Sequence, residues 1–331
     1  MKYIKFLILI LLIVFTTGCV SYSELNELGI VDMILIDKDN NQYVVSLNML
    51  TPTEEDLKSN KVYTTSDKSL DKCLTNLYLE SNKKISFSHL ELILFTTNLE
   101  KDDYDEIINL FLNRSDSRNT FSTVITNPKT NLESYKKDDV NNLININHES
   151  EGIVAIKQFD DVVKDILEIK NSYIPKIDDK DSIKIDGYYS IYNENKLLTK
   201  NESIGYNFIT DNIIKNEFEV NDINFKINYS KTNLKINKNK ININITSTYQ
   251  IMSNNTKIKD DKELDLLFQE GVKKYINSYL ALDNYNYFSN LLKKYDYKYY
   301  KNNKDIKFRF NIKISSNKIN NSNIKGDDSY E

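Results

Sequence analysis

An α+β fold of two to three domains, built from mixed sheets packed with helices, is what this 331-residue sequence predicts. Three observations carry it. Apolar residues recur at helical spacing in several windows, and alternating or continuously apolar runs lie between them. In the first half, strand-like and helix-like windows alternate. In the second half, long alternating runs follow one another like an antiparallel sheet, and a helix then leads to a last strand.

The chain opens with Lys2 and Lys5 and no acid, then an apolar run of ten residues from Phe6 to Phe15. A membrane-spanning helix needs roughly 20, whereas about ten suits the core of an export signal. Thr16, Thr17 and Gly18 follow, then Cys19. Small residues ending at a cysteine after a short apolar run mark a bacterial lipoprotein signal. Cleavage is expected between Gly18 and Cys19, leaving a diacylglycerol on the Cys19 thiol, with or without an N-acyl chain. Several acyl chains on one residue hold a protein to a bilayer much better than one. An ordinary export signal with a chance cysteine also fits these residues. Beyond residue 19 no apolar run is long enough to span.

Next, Leu28 to Asp37 predicts a strand, "DKDNNQ" a turn and Tyr43 to Leu50 a returning strand. Asp67 is placed to cap a helix carrying Leu70, Cys73, Leu74 and Leu77. "KKISFSHLELILFT" reads as a strand whose continuously apolar second half suits a central position. "KDDYDEIINLFLNR" is an amphipathic helix with acids at its positive end, and "NTFSTVITNP" is another strand. Residues 129–150 are polar and give no clear element. "AIKQFDDVVKDILEIKNS" is a helix, and "YIPKIDDKDS" reads as an interdomain linker. "SIKIDGYYSIYNENKLLT" is a hairpin turning at Asn193 to Asn195, and "NFKINYSKTNLKINKNKININITSTYQI" holds two or more strands. A helix from about Lys262 to Leu282, resuming to about Tyr300, presents Leu264, Phe268, Val272, Tyr275, Tyr279 and Leu282 on one stripe. "DIKFRFNIKI" alternates strictly, so the helix crosses over onto a sheet with one solvated face. The expected domains are a signal peptide at 1–18, an N-terminal α/β domain at 19–180 and a C-terminal α+β domain at 181–316. Residues 129–180 read as a link or a small middle domain, and 317–331 as a polar tail.

Removing Lys2 and Lys5 takes the formal charge from −4 to −6. A mildly acidic chain argues against a nucleic-acid partner. Lys, Asn, Ile and Tyr are abundant, as A/T-rich codons favour. If Cys19 is acylated, Cys73 has no intramolecular partner; on the stripe of Leu70 and Leu77 it acts as a small buried hydrophobe.

No metal-ligand cluster surrounds His89 or His148, and no zincin, thioredoxin-like, phosphate-loop or dinucleotide motif occurs. Ser88 and His89 lie in a strand pattern and point to opposite faces, so they build no catalytic triad; His148 reads as solvated. Acids are plentiful, but nothing singles out a catalytic pair. The tyrosines of "DNYNYFSNLLKKYDYKYYKNN" read as packing a helix on a sheet with wet hydroxyls. The lysines of "LKINKNKI" read as a solvated face and edge protection. These residues nominate no catalytic, metal or ligand-binding residue, and no cofactor.

Four segments together resemble one family. Gly18-Cys19 is followed by Glu24-Leu25-Asn26-Glu27-Leu28 and then by Ile36-Asp37-Lys38. "LYLESNKKISFSHL", Leu77 to Leu90, is the most specific segment. "GYYSIYNENKLLTKNES" carries Gly187, Lys196, Leu197 and Glu202 in the family's hairpin pattern, with Leu198 where the family usually has Gly, and "INYSKTNLKI" is similar to its strand pair. On these residues the chain resembles the Ger(x)C family, the lipoprotein C subunits of bacterial spore germinant receptors. Val20 and Ser21 stand where the family has Trp-Asp. The resemblance implies a three-domain α+β fold and a non-enzymatic subunit acting with A-type and B-type membrane subunits in nutrient-triggered germination. It also implies a lipid anchor on the outer face of the cytoplasmic membrane, the inner membrane of the spore. Without the resemblance, a solute-binding lipoprotein of a transporter and a secreted lipoprotein hydrolase remain as alternatives.

Overall fold

The computed structural model describes residues 27–51, 59–180, 182–192, 194–254, 260–282, 285–303 and 306–319. Its first sheet begins with β1 (Leu28–Asp39) and β2 (Gln42–Thr51), paired antiparallel through Asp39↔Gln42. The two turn residues, Asn40 and Asn41, both have positive φ, 49° and 62°. That is the twist-matched hairpin turn that asparagine tolerates. β3 (Ser59–Asp67) adds an edge strand on β2. α1 (Leu70–Ser81) follows, with Ser69 rather than Asp67 at its N-cap position. Asp67 is instead the last residue of β3.

The predicted strand over "KKISFSHLELILFT" is two strands, β4 (Lys84–Ser86) and β5 (Leu92–Thr96), both parallel to β1. β5 is buried throughout, and apolar from Leu92 to Phe95, because both its faces are covered. Leu92 and Leu94 join one core cluster, and Ile93 and Phe95 the other. α2 (Lys101–Leu112) starts with a reciprocal cap between Glu100 and Asp103. β6 (Ser122–Thr126) continues the parallel order. The unread stretch contains a short 3-10 turn at Leu132–Ser134 and α3 (Lys137–Ser150), which buries only Val140 and Ile144. α4 (Phe159–Ile169) is found as expected.

The expected linker is a strand. β7 (Ser172–Asp178) pairs parallel with β6 and is buried from Ser172 to Ile177, Pro175 included. β8 (Lys184–Ile191) and β9 (Lys196–Leu197) form the predicted hairpin, but they extend the first sheet. The order is β3-β2-β1-β5-β6-β7-β8-β9, with β4 beside β1. The expected boundary at 180/181 therefore falls inside one sheet.

Thr199 and Glu202 cap α5 (Lys200–Ile209), a helix the sequence reading passed over although "TKNE" is a capping-box pattern. The second sheet has the order β10-β11-β12-β13: β10 (Asn216–Val220), β11 (Ile223–Asn237), β12 (Lys240–Asn254) and β13 (Arg309–Lys318). α6 (Asp261–Leu280), α7 (Tyr285–Tyr295) and α8 (Tyr297–Asn302) make the crossover that sets β13 parallel to β12. β13 reaches past residue 316, so the polar tail begins later than expected; residues 320–331 lie outside the described residues.

α1, α2 and α4 cover one face of the first sheet, where Phe87, Phe111, Phe121 and Phe159 cluster, Phe121 stacked on Phe159 and the others meeting edge-on or tilted. Its other face shares a single core with α5, α6 and the second sheet. Met33, Leu94, Tyr173 and Tyr206 belong to the same cluster as Phe225, Ile243 and Phe268.

Candidate functional site

Gly18, Cys19 and the signal peptide at 1–18 lie outside the described residues. Cys73 is buried and free, with its Sγ 3.6 Å from the Tyr43 carbonyl, and burial pushes its thiol up to about 11. That suits a small hydrophobe and not a nucleophile. His89 is exposed in the connection between β4 and β5, not within a strand. His148, read as solvated, sits on α3 with Nε2 2.8 Å from the Asn212 carbonyl.

One acid does stand out. The register of β1 on β2 passes from Val31↔Met49 to Met33↔Asn48, leaving Asp32 as a bulge. A bulge turns two successive side chains to one face. Val31 packs with the helices, whereas Met33 faces the other core, and Asp32 lines a cleft beside it. Asn48 Nδ2 donates to Asp32 Oδ1 at 2.7 Å, and both residues are 4% exposed. The cleft holds about 510 Å³ between β1–β3 and the segment that starts α3. Met33, Leu132 and Tyr135 make its apolar floor, and Lys136, Lys137 and Asp138 part of its rim. Tyr135 is fixed by its hydroxyl, 2.7 Å from Thr126 Oγ1, and Lys137 Nζ reaches Glu91 at 2.5 Å. Burial holds the Asp32 carboxyl above its ordinary range, against the opposing Asn48 bond and the charge of Lys137. No Ser, Cys or His lines the cleft; its polar side chains are Asp32, Asn48, Asn60, Glu133, Lys136, Lys137 and Asp138, beside the Tyr135 ring.

In open α/β sheets, ligands gather at the carboxyl ends of parallel strands. Here that edge is closed by residues 127–130. Asp37, near the end of β1, accepts from Thr96 Oγ1 at 2.5 Å and from the backbone N–H of Lys129 at 2.9 Å. Asn127 Nδ2 donates to Asp178 and Asp179, each at 2.8 Å, and Thr130 Oγ1 donates to Asp179 at 2.7 Å. Lys176 Nζ donates to Asn127 Oδ1 at 2.9 Å. The network holds the loop onto the sheet. Among the described residues, no group of three or more His, Cys, Asp or Glu could hold a metal ion.

Some residues carrying the sequence resemblance are packing residues. Phe87 and Leu90 are buried, and Phe87 lies under Arg114, 4.5 Å from its ring centre. Arg114 in turn pairs with Asp116, which accepts from the Phe87 N–H at 3.1 Å. Gly187 has φ 144°, and a Cβ there would meet the Leu198 carbonyl at 2.5 Å.

Residues 21–179 match the family described as spore germination protein N-terminal domain. No curated protein matches the chain. A solved structure, described as the crystal structure of the GerBC protein, is similar with a TM-score of 0.55 at 18% identity. The likeness covers 87% of this chain and 97% of that one. At that identity it is a likeness of fold, and the mixed α+β arrangement is common to both. Among the described residues, no helix is long and apolar enough to cross a membrane.

Proposed function

This chain belongs to the Ger(x)C family, the C subunits of spore germinant receptors, and on that premise we propose that it is a lipid-tethered, non-enzymatic receptor subunit. It acts with A-type and B-type membrane subunits in nutrient-triggered germination. Cleavage after Gly18 exposes Cys19, whose acyl chains hold the protein on the outer face of the cytoplasmic membrane, later the inner membrane of the spore. The observation that carries this reading is the family match over residues 21–179. The leader ending in "TTGC" supports the tether.

A solute-binding lipoprotein is the second reading, favoured by the cleft beside Asp32. Against it stands the continuous first sheet, which crosses residue 180 where a two-lobed binder would hinge.

Cys19→Ala tests the tether. It abolishes labelling by a fatty-acid probe and moves the full chain from the membrane to the soluble fraction. Undiminished membrane attachment of the variant contradicts the anchor.

A further inference from the structure

The second sheet separates charge in a way its fold does not require. The chain holds 48 acids, yet residues 223–254 and 306–319, which form β11, β12 and β13, contain none. The inner face of this sheet is apolar, with Ile241, Ile243 and Ile245 buried against α6 and α7. Toward the β11–β12 turn the outer face is a grid of Lys, Arg, Asn, Thr and Ser, with the exposed Tyr229 and Met252 toward the other end. Lys235 lies beside Asn242 and Asn242 beside Asn311; Asn233 lies beside Asn244 and Asn244 beside Lys313.

Near the first strand of the sheet the cations are neutralised. Lys226 pairs with Glu217 at 2.7 Å, and Lys231 with Asp211 at 2.7 Å. Toward the β11–β12 turn they are not. Lys235, Lys238, Lys240, Lys307, Arg309 and Lys313 are exposed, and none has an ion-pair partner among the described residues. Lys240 and Arg309 are register neighbours on adjacent strands of the same face. Like charges set opposite each other destabilise a sheet, so this pair works against the fold. Such a local conflict points to use. A/T-rich codons account for lysines and asparagines, but aspartate needs codons no richer in G and C than some used here, and none occurs over the 32 residues from 223 to 254.

We propose that this tip of the second sheet docks on the anionic phosphates of lipid headgroups. The face offers cations and amide donors on a flat support. Its tip carries no aromatic or aliphatic anchor, which a stable protein interface needs; the exposed Tyr229 and Met252 lie toward the opposite end of the strands. A phosphate surface needs neither anchor nor pocket, only positive charge brought near it. The proposal rests on the tethered reading. Nine residues from Cys19 to Leu28 keep the fold within about 30 Å of the headgroups, and that confinement raises the effective concentration of lipid. Docking through this face fixes how the subunit stands on the bilayer.

The test uses the full chain carrying Cys19→Ala, sedimented with vesicles of phosphatidylglycerol in phosphatidylcholine or of phosphatidylcholine alone. The protein is expected to bind the anionic vesicles more tightly, and added salt to erase the difference. Reversing Lys235, Lys240, Arg309 and Lys313 to Glu lowers anionic-vesicle affinity by about tenfold or more. Reversing Lys72, Lys164, Lys273 and Lys298, exposed elsewhere, changes net charge equally and leaves most of the binding in place. Equal losses in the two variants, retention in both, or no preference of the parent for anionic vesicles overturns the proposal. Melting curves of each variant report whether it is folded. Acyl labelling of the unmodified chain reports the tether separately, so loss of one reading is distinguishable from loss of the other.

Discussion

Asp32 is a carboxylate set in an apolar strand, and its position has a thermodynamic consequence. Burial raises its pKa in the folded protein above the ordinary 3.8. The native state therefore binds a proton more readily than the unfolded chain between those two values, and stability falls as pH rises through them. Above that window the fold carries a charge that it would hold more easily neutral. Asp32→Asn keeps an oxygen for Asn48 Nδ2 and removes the charge. Its melting temperature is expected to exceed that of the parent at neutral pH, with the gap closing as pH falls toward 3.8. A variant less stable than the parent at neutral pH contradicts this account of the site. In sequence, Asp32 gave only a faint signal: one acid inside "GIVDMILI". The bulge that aims it into the cleft depends on pairing with β2, which no local pattern records. The residues that carried the family resemblance were legible for the opposite reason. Phe87, Leu90, Gly187 and Glu202 repeat a pattern because packing, a close backbone approach and a helix cap demand them.

Among elements, α5 and α6 show how closely the two halves meet. Gly205 on α5 lies so near α6 that a Cβ would stand 2.2 Å from the Tyr275 carbonyl. Backbone cannot yield as a side-chain tip can. Gly205→Ala is expected to cost about 1–3 kcal/mol of stability, the usual penalty of overpacking, read from denaturant unfolding. A neutral result means the helices separate freely. Elements with strong periodicity, such as β5, α2, α4 and α6, were legible because each buries a stripe or two faces. The rest were hidden for separate reasons. β3 is a polar edge strand, and α3 is rich in asparagine and buries little. β7 is obscured by Pro175 and by the acids Asp178, Asp179 and Asp181 at and beyond its end, although it is buried from Ser172 to Ile177. Proline is tolerated there because β7 touches β6 through a single register pair, Ile125↔Lys176.

At the scale of the whole molecule, the expected two halves are joined more deeply than a linker allows. Buried tyrosines knit the junction: Tyr206 lies 4.5 Å from Tyr173 and 5.5 Å from Tyr279, ring centre to ring centre. Tyr188 donates to Asn207 at 3.0 Å, and Asn207 Nδ2 donates in turn to the carbonyls of Gly152 and Ile153. Contacts so distant in sequence leave no periodic trace, so fold class was legible while the shared core was not. The two sheets share one core through these contacts. Service in a germinant receptor is tested by deleting the gene of this chain and following the optical-density fall of purified spores across a panel of germinants. The response to one germinant or set of germinants is expected to be lost, other triggers to work still, and the intact gene to restore what was lost. Spores that respond normally to every germinant of the panel would contradict it.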